Sequence, residues 1–452
     1  MKTIFITIYD GAISKNILKS SIFPKLKQSM KIFLFVPVGK IKYYKDNFEN
    51  ENVFIESFPV AKFPRLEMWL SQVFINSIYA DNISIRIKFN YANGDNGLVK
   101  KIVRLIFWRL GKFKLWRSFL RFIYSIIPDH SYDVYFKKYK PDVIFTPNMI
   151  SHEDMRMIKT ARRFKILVIG MMKSWDNLTS KAFVAMKPDW FIAQNEIIKR
   201  EIIKYVDFPE EKIYLTGWPQ FDIYSDKSIY VLKENFFKKL GLDPDKKVIL
   251  YCGAGTMIAP HDIEVLKMLI FSIEQNRMNQ KVQILFRLHP KYSSCEEKLE
   301  KKLFFIVDRP GGNNTKKLSY WEFENSDILH LANSLYYSDV VVCTASTMNI
   351  EASIFDKPSV NPAFDGDKIL PQELSVKRRY EYDHQKNINK TDGIKIAYSA
   401  DDLIKYINNY LDNPTLDNVG RKKIVEEQCY KLDGRAGERI GDFIKKTVDN
   451  LS

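Results

Sequence analysis

The sequence has 452 residues, of which 46% are hydrophobic and 14% aromatic. This composition excludes intrinsic disorder, and the length exceeds one ordinary core, so we expect two domains. A formal charge of +16 indicates an anionic partner, such as a nucleotide, a nucleic acid or an acidic lipid surface. The four cysteines lack metal-ligand spacing, and Cys252 and Cys343 lie in apolar runs, so we expect buried thiols in a reduced, cytoplasmic compartment.

Short apolar runs recur along the chain, with helical patterns between most of them. The N-terminal stretch MKTIFITIYDG predicts a first strand and not a signal peptide, and no stretch of about 20 apolar residues predicts a spanning helix. The runs predict strands at residues 3–9, 31–38, 52–58, 142–147, 165–172, 189–194 and 212–217. The pattern restarts with predicted strands at residues 246–255, 282–290, 303–308, 339–346 and 357–364.

Continuous apolar strands that alternate with helices are typical of parallel sheets covered on both faces. The sequence therefore predicts an α/β protein with two Rossmann-like domains facing a cleft, followed by a helical tail. We place an acceptor-binding domain at residues 1–225 and a nucleotide-binding domain at 226–420. Helices at residues 421–452 are expected to pack back on the first domain.

Residues 98–127 depart from this rhythm, because they contain eight lysines or arginines and no acidic residue. On a helix from residue 112 to 127, Lys114, Arg117 and Arg121 fall on one side, while Trp116 and other apolar residues fall on the other. This pattern is typical of a helix lying in a membrane interface. A core-facing helix with a solvated basic side is the alternative.

Residues 283–292, QILFRLHPKY, begin as a buried strand and end in charge. Arg287, His289, Pro290 and Lys291 leave the second strand of the second sheet, at the end where this architecture binds ligands. A guanidinium and an imidazole there can donate hydrogen bonds to phosphate oxygens. The sequence thus predicts an anion site, with a basic turn as the alternative.

The run DVVVCTASTMNIEASIFDKPSV predicts a buried strand, a turn of small residues and a helix. Ser346 and Thr347 lie where the helix begins, and the N–H groups and hydroxyls there suit a phosphate, although a simple N-cap explains the same residues. Glu351, about one turn deeper, can accept hydrogen bonds from the ribose hydroxyls of a nucleotide.

A glycine-rich turn follows the first strand of the second domain. Gly253, Gly255 and Thr256 would let a ligand approach the backbone closely. The turn lacks the complete dinucleotide fingerprint and the Walker ending, so alone it indicates little.

The first domain offers two polar strand exits. Asp10 and Gly11 follow the first strand, and Asp10 can act as general base on an acceptor hydroxyl or serve as a turn residue. Trp175, Asp176 and Asn177 follow a later strand, where an indole beside a carboxylate suits a sugar and a capped helix start is the alternative. We therefore expect the base at Asp10, or else at Asp176, and acceptor contacts from the other three residues.

The motifs SWDNLTSK, IYLTGWPQFD, RLHPK, TASTMNIEASIFDKPSV and DGRAGER, in this order over residues 165–445, resemble the bacterial surface-polysaccharide glycosyltransferases of the GT-B fold. The His-Pro and Ser-Thr pairs are also similar to those of sialyltransferases and Kdo transferases, which use CMP-sugars. The resemblance implies a donor nucleotide, CMP or UDP, held by His289, Ser346 and Thr347 together with Arg287. Sialyltransferases of this type carry an acidic pair before glycine, whereas IYDG places Tyr9 at the position of the other acid.

The residues and the resemblance together predict a glycosyltransferase that moves a sugar from a nucleotide-activated donor to a hydroxyl of a surface polysaccharide or lipid-linked glycan. We expect no metal and no cofactor, because no acid-rich metal motif is evident in the sequence. The enzyme is expected to lie at the anionic inner face of the plasma membrane. A sugar-nucleotide 2-epimerase, or a CDP-glycerol glycerophosphotransferase, would keep the architecture and change the reaction. A basic nucleic-acid-binding protein is the non-enzymatic alternative, but no nucleic-acid-binding motif supports it.

Overall fold

The computed structural model describes residues 1–59, 65–289, 296–300, 302–310 and 324–450. The chain forms two compact units. Unit 1 comprises the described residues of Met1–Ser225 and Cys429–Ser452, and unit 2 those of Asp226–Leu318 and Glu324–Gln428.

Each unit is built on one parallel sheet. Strands β1 to β13 are Lys2–Thr7, Met30–Val36, Val53–Ser57, Val143–Thr146, Leu167–Met171, Trp190–Ala193, Ile213–Leu215, Lys247–Cys252, Val282–Arg287, Phe305–Asp308, Val340–Cys343, Ser359–Pro362 and Lys395–Ala397. The order is β3-β2-β1-β4-β5-β6-β7 in unit 1 and β10-β9-β8-β11-β12-β13 in unit 2. Every pairing between these strands is parallel. The predicted α/β class with two parallel sheets is confirmed, and β13 is the described strand that the sequence did not predict.

Helices follow most strands and cover the sheets. Helices α1 to α10 are Gly11–Leu18, Ile22–Lys27, Ile41–Phe48, Arg65–Asn76, Asp81–Ala92, Leu98–Leu110, Lys114–Ile126, Asp133–Tyr139, His152–Arg163 and Asn177–Ser180. Helices α11 to α19 are Glu196–Glu201, Lys233–Leu240, Asp262–Glu274, Asn325–Tyr337, Met348–Ile354, Asp383–Asn389, Ala400–Asp412, Asn418–Cys429 and Ala436–Asp449. Short 3₁₀ turns lie at Val38–Lys40, Glu210–Lys212, Pro219–Ser225, Lys227–Ile229, Glu296–Lys298 and Val376–Glu381, and a π turn at Ile202–Val206.

Apolar strand residues fill the core of each unit. In unit 1, Ile4 and Ile6 of β1 are fully buried, and the last helix, α19, adds Ile440 and Ile444 to the same cluster. The Asp222 carboxylate accepts hydrogen bonds from two backbone N–H groups at the start of α19, at 3.0 and 2.7 Å. The C-terminal helix is therefore an integral part of unit 1.

The segment 98–127 forms two helices, α6 and α7, and two arginines of α7 do not lie on an exposed face as expected. Arg117 and Arg121 are buried and both donate to the Asp207 carboxylate. Burial opposes ionisation of Asp207, but the two arginines outweigh it and lower its pKa. The prediction that these arginines line an exposed cationic stripe is wrong, because an aspartate distant in sequence binds them inside the unit.

The other residues predicted to face a membrane differ from one another in exposure. Lys114 is exposed, whereas Trp116 is half-buried and its indole N–H donates to Ser77 Oγ at 3.0 Å. No helix among the described residues is long and apolar enough to cross a membrane.

Candidate active site

The carboxyl edge of the unit 2 sheet brings together most of the predicted donor residues. Parallel pairing aligns Cys252, the end of β8, with Arg287 on one side and Cys343 on the other. The loops that follow β8, β9 and β11 therefore leave the sheet side by side. In open parallel sheets, ligands bind at this edge.

Arg287 is held in place by a carboxylate that the sequence analysis did not identify. Its guanidinium is buried and donates to Asp308 Oδ2 at 2.5 Å, while His330 Nε2 lies 2.9 Å from Asp308 Oδ1. Burial opposes ionisation of Asp308, but the His330 hydrogen bond and the Arg287 charge outweigh it and lower its pKa. Arg287 is thus a fixed cation.

His289 follows Arg287 by two residues and is partly exposed. Pro290 and Lys291, which were also predicted to bind the donor, lie outside the described residues. His289 therefore lies just beyond the carboxyl end of β9.

The predicted helix start after β11 is present, with α15 beginning at Met348. Ser346 and Thr347 are partly exposed, and Ser346 Oγ accepts a hydrogen bond from the Met348 N–H at 3.2 Å. A hydroxyl that accepts in this way keeps its own proton for donation. The hydroxyl can therefore cap the turn and bind an anion at once.

Glu351 is buried and lies near the end of β8. Burial raises the pKa of the Cys252 thiol to about 12, while Arg287 lowers it and Glu351 and Asp308 raise it. Arg287, Glu351 and Asp308 are therefore close enough to the end of β8 to affect the Cys252 thiol.

The glycine-rich turn after β8 is held in place by hydrogen bonds to its backbone. Gly253 donates its N–H to the Arg287 carbonyl at 2.9 Å, and Gly255 has a φ of 75°, a conformation that favours glycine. The Asp262 carboxylate accepts hydrogen bonds from the Ala254 N–H and the Tyr251 hydroxyl, at 2.9 and 2.8 Å. Thr256, at the tip of the turn, is exposed.

Asp10, at the edge of the unit 1 sheet, is the N-cap of α1. Its Oδ1 accepts hydrogen bonds from the Ala12 and Ile13 N–H groups at 3.1 and 3.0 Å. Its Oδ2 lies 2.7 Å from Lys173 Nζ, an ion pair that sequence reasoning missed. Gly11 is the first residue of the helix and is buried.

Asp176 is the second carboxylate at this edge. It lies 3.1 Å from Lys181 Nζ and accepts from Ser180 Oγ at 3.2 Å, and its side chain is 23% exposed. Trp175 is buried, so it is not the open aromatic platform that the sequence predicted. Asn177 is fully buried, and both atoms of its amide lack a hydrogen-bond partner among the described residues.

A cavity of about 140 Å³ is lined in part by Lys181, the ion-pair partner of Asp176. Its wall is largely apolar, with Phe74 and Phe183 stacked in parallel at 4.9 Å between ring centroids. His152 also lines it and lies 3.2 Å from Ser71 Oγ. Burial lowers the pKa of His152 and so favours its neutral ring. The position of His152 at the exit of β4 is the sequence signal that could have identified it.

Among the described residues, no group of three or more histidine, cysteine or acidic side chains could hold a metal ion. Metal independence stays a prediction.

Residues 169–446 match the family of CDP-glycerol:poly(glycerophosphate) glycerophosphotransferases, a range that includes every candidate donor residue. The chain belongs to this family. No curated protein matches the sequence.

Solved structures share the fold at low sequence identity. A Staphylococcus aureus MnaA structure with UDP is 13% identical, with a TM-score of 0.56 and coverage of 99% of this chain and 97% of that one. The UDP-GlcNAc 2-epimerase of Neisseria meningitidis, bound to UDP-GlcNAc, is 13% identical, with a TM-score of 0.56 and coverage of 99% and 100%. The wall teichoic acid polymerase TagF is 13% identical, with a TM-score of 0.51 and coverage of 100% and 90%. The fold is GT-B-like, and the family is one of transferases.

Proposed function

We propose that the protein transfers a sugar from a UDP- or CMP-activated donor to a hydroxyl of a surface polysaccharide or lipid-linked glycan. The observation that carries this proposal is the alignment of β8, β9 and β11, which brings Arg287, His289, Ser346 and Glu351 to one edge of the unit 2 sheet. Membership of a transferase family supports group transfer to an acceptor, but it does not favour a sugar as the transferred group.

In this proposal the donor nucleotide binds at unit 2. Arg287 and His289 stabilise its phosphates, together with the hydroxyls of Ser346 and Thr347. Glu351 accepts hydrogen bonds from the ribose. Gly253, Gly255 and Thr256 allow the backbone to approach the ligand, and Lys291 adds positive charge.

The reaction forms a bond between the acceptor oxygen and the anomeric carbon, and breaks the bond from that carbon to the phosphate oxygen. Negative charge then grows on the departing nucleotide, where a fixed cation such as Arg287 stabilises it without reorganisation. The acceptor proton passes to a carboxylate of unit 1. We assign this role to Asp176, because its ion-pair partner Lys181 lines a cavity that suits an acceptor, whereas Asp10 already caps α1.

A glycerophosphotransferase that uses CDP-glycerol is the second candidate, and the family match favours it. The acceptor oxygen would then attack phosphorus and release CMP, with the same cations stabilising the phosphoryl group. The donor residues would keep their roles, so the product distinguishes the two reactions.

Thermal-shift measurements with CMP, CDP, UDP and GDP, followed by product analysis with the matching donors, test both candidates. A nucleotide that binds only the native state raises the melting temperature. Release of UDP, or of CMP from a CMP-sugar, with a glycosylated acceptor supports sugar transfer. CMP release from CDP-glycerol supports the second candidate, and an epimer formed without acceptor contradicts both.

The variant His289→Ala should lose the shift and at least about 100-fold in turnover, as expected for loss of an electrostatic donor at the leaving group. His384→Ala, a partly exposed histidine of the same unit, is the matched control and should keep both. If His289→Ala showed the same nucleotide-induced rise in melting temperature as the wild type, the donor nucleotide would not bind at His289.

A further inference from the structure

The hairpin of α6 and α7 in unit 1 exposes apolar side chains along its outer face. On α7, Leu115, Phe119, Phe122 and Ile126 form one stripe, because they recur at helical spacing. Their exposed fractions are 85%, 51%, 59% and 59%. Exposed apolar clusters of this kind mark surfaces that bind a protein or a membrane.

Helix α6 continues the same pattern. Val99, Ile102, Val103 and Ile106 are 76%, 48%, 42% and 51% exposed. No residue of α6, all of which the structure describes, is fully buried. Helix α4 packs against both helices and exposes Leu66, Met68 and Trp69.

The inner side of the hairpin is fixed, so the apolar face cannot turn inwards. Arg117 donates to the Gly111 carbonyl at 2.6 Å, and Arg121 donates to the Val184 carbonyl at 3.0 Å, in addition to their ion pairs with Asp207. A Cβ at Gly111 would lie 2.0 Å from the Ser77 carbonyl oxygen, so the connection between α6 and α7 is pressed against the unit.

Cations accompany the apolar face. With Arg117 and Arg121 buried, the cations left at least partly exposed on the hairpin are Lys100, Lys101, Arg104, Arg109, Lys112 and Lys114. Residues 98–127 contain no acidic side chain that could neutralise them. An apolar face accompanied by positive charge complements an anionic phospholipid surface, whose headgroups attract lysine and arginine while its acyl region accepts leucine and phenylalanine.

We infer that this face of unit 1 inserts into the interface of an anionic phospholipid bilayer. The apolar stripes of α6 and α7 enter the acyl boundary, and the lysines and arginines of the hairpin contact lipid phosphates. This inference does not depend on the proposed transferase reaction, although membrane contact would bring the enzyme to a lipid-linked acceptor.

Flotation of the full chain tests the inference, with vesicles of phosphatidylcholine alone or mixed with phosphatidylglycerol. The wild type should float with the anionic vesicles. The double variant Val99→Asn, Phe122→Asn should lose at least about tenfold in partitioning, because it removes two large apolar groups from the inserted face. Replacing Lys100 and Lys112 with glutamine should weaken the preference for anionic vesicles.

Unit 2 offers a matched control in Val419 and Phe271, which are 77% and 60% exposed, against 76% and 59% for Val99 and Phe122. The double variant Val419→Asn, Phe271→Asn should float as the wild type does. Urea unfolding should show that both double variants are folded. Absent flotation of the wild type, or equal flotation of the two double variants, overturns the inference. If the wild type were a dimer that did not bind vesicles, and the Val99→Asn, Phe122→Asn variant were a monomer, the face would instead be a self-association surface.

Discussion

The carboxyl edges of the two sheets hold charge in opposite ways. At the unit 2 edge the cation Arg287 is buried and its orientation is fixed by Asp308. At the unit 1 edge the carboxylates of Asp10 and Asp176 are partly exposed, at 28% and 23%, and each pairs with a lysine.

This difference matches two different tasks in group transfer. A buried, fixed guanidinium needs no reorganisation when negative charge appears beside it, so it suits a leaving phosphate. A carboxylate in contact with water can exchange partners and protons, so it suits a general base. The contrast supports the proposed roles of Arg287 in donor stabilisation and of Asp176 in proton transfer.

The largest expected effect is on turnover at the unit 1 edge. Asp176→Asn should lower kcat about 1,000-fold, the range for loss of a general base, while the nucleotide-induced thermal shift persists. Asp10→Asn is the matched control, because asparagine caps a helix as well as aspartate does. It should keep kcat within about tenfold, since it retains the cap and removes no base. Initial rates of nucleotide release measure kcat for both variants. A larger loss of kcat in Asp10→Asn than in Asp176→Asn would identify Asp10 as the base.

The next effect is on stability at the unit 2 edge. Asp308→Asn leaves the Arg287 guanidinium buried without a carboxylate, which should lower the free energy of unfolding by about 3 kcal/mol. Asp401→Asn breaks an exposed pair with Arg277 of comparable length, 2.7 Å, and should cost less than about 1 kcal/mol. Urea unfolding measures both. Equal losses would mean that the Arg287 pair is solvated and not fixed by burial.

Buried aspartates without a cation should show the opposite pH dependence. Burial raises the pKa of Asp154 in unit 1 and of Asp262 in unit 2 to about 6, above the usual 3.8. The folded state then binds the proton more tightly, so each ionised group destabilises the fold above about pH 6 and this cost disappears as the pH falls towards 3.8. As the pH falls from neutral to acidic, the free energy of unfolding of the wild type should therefore rise by about 3 kcal/mol relative to that of Asp154→Asn.

The paired Asp308 has a lowered pKa, so its contribution is present at neutral pH and is lost on acidification. Wild type should thus lose stability relative to Asp308→Asn over the acidic range, a difference of opposite sign. Thermal unfolding across that range compares the variants, and a hydrogen bond lost in either variant does not alter the sign. The same sign for both would contradict the assignment of paired and unpaired carboxylates.

The sheets were predictable from the sequence because buried parallel strands are short, continuous apolar runs. Strand β11, Val340–Cys343, is apolar along its whole length and is bounded by the polar residues Asp339 and Thr344. Strand β13 was not predicted from the sequence. It has three residues, Lys395–Ala397, and only the last is buried.

The partners of the charged side chains were not predictable. Helical spacing separated Arg117 and Arg121 from the aromatics of α7, but it could not say which face is covered. Asp207, which decides this, lies 90 residues from Arg117. Asp10 likewise finds Lys173 at a separation of 163 residues. Such pairs depend on the tertiary fold, so a local charge pattern indicates composition and not exposure.

The smallest expected effect is at the lysines of the unit 1 edge, and it tests whether that edge is truly solvated. Lys181→Met and Lys173→Met keep most of the apolar stem and remove the ammonium group, so packing changes little. Water solvates the partners, and each substitution should cost less than about 1 kcal/mol in urea unfolding. Lys181, at 46% exposed, should cost less than Lys173, at 21%. High salt should reduce both losses. If Lys181→Met lowered the free energy of unfolding as much as Asp308→Asn, the unit 1 edge would be as desolvated as the unit 2 edge. Solvent exposure could then no longer explain why we propose a fixed cation at the unit 2 edge and a general base at the unit 1 edge.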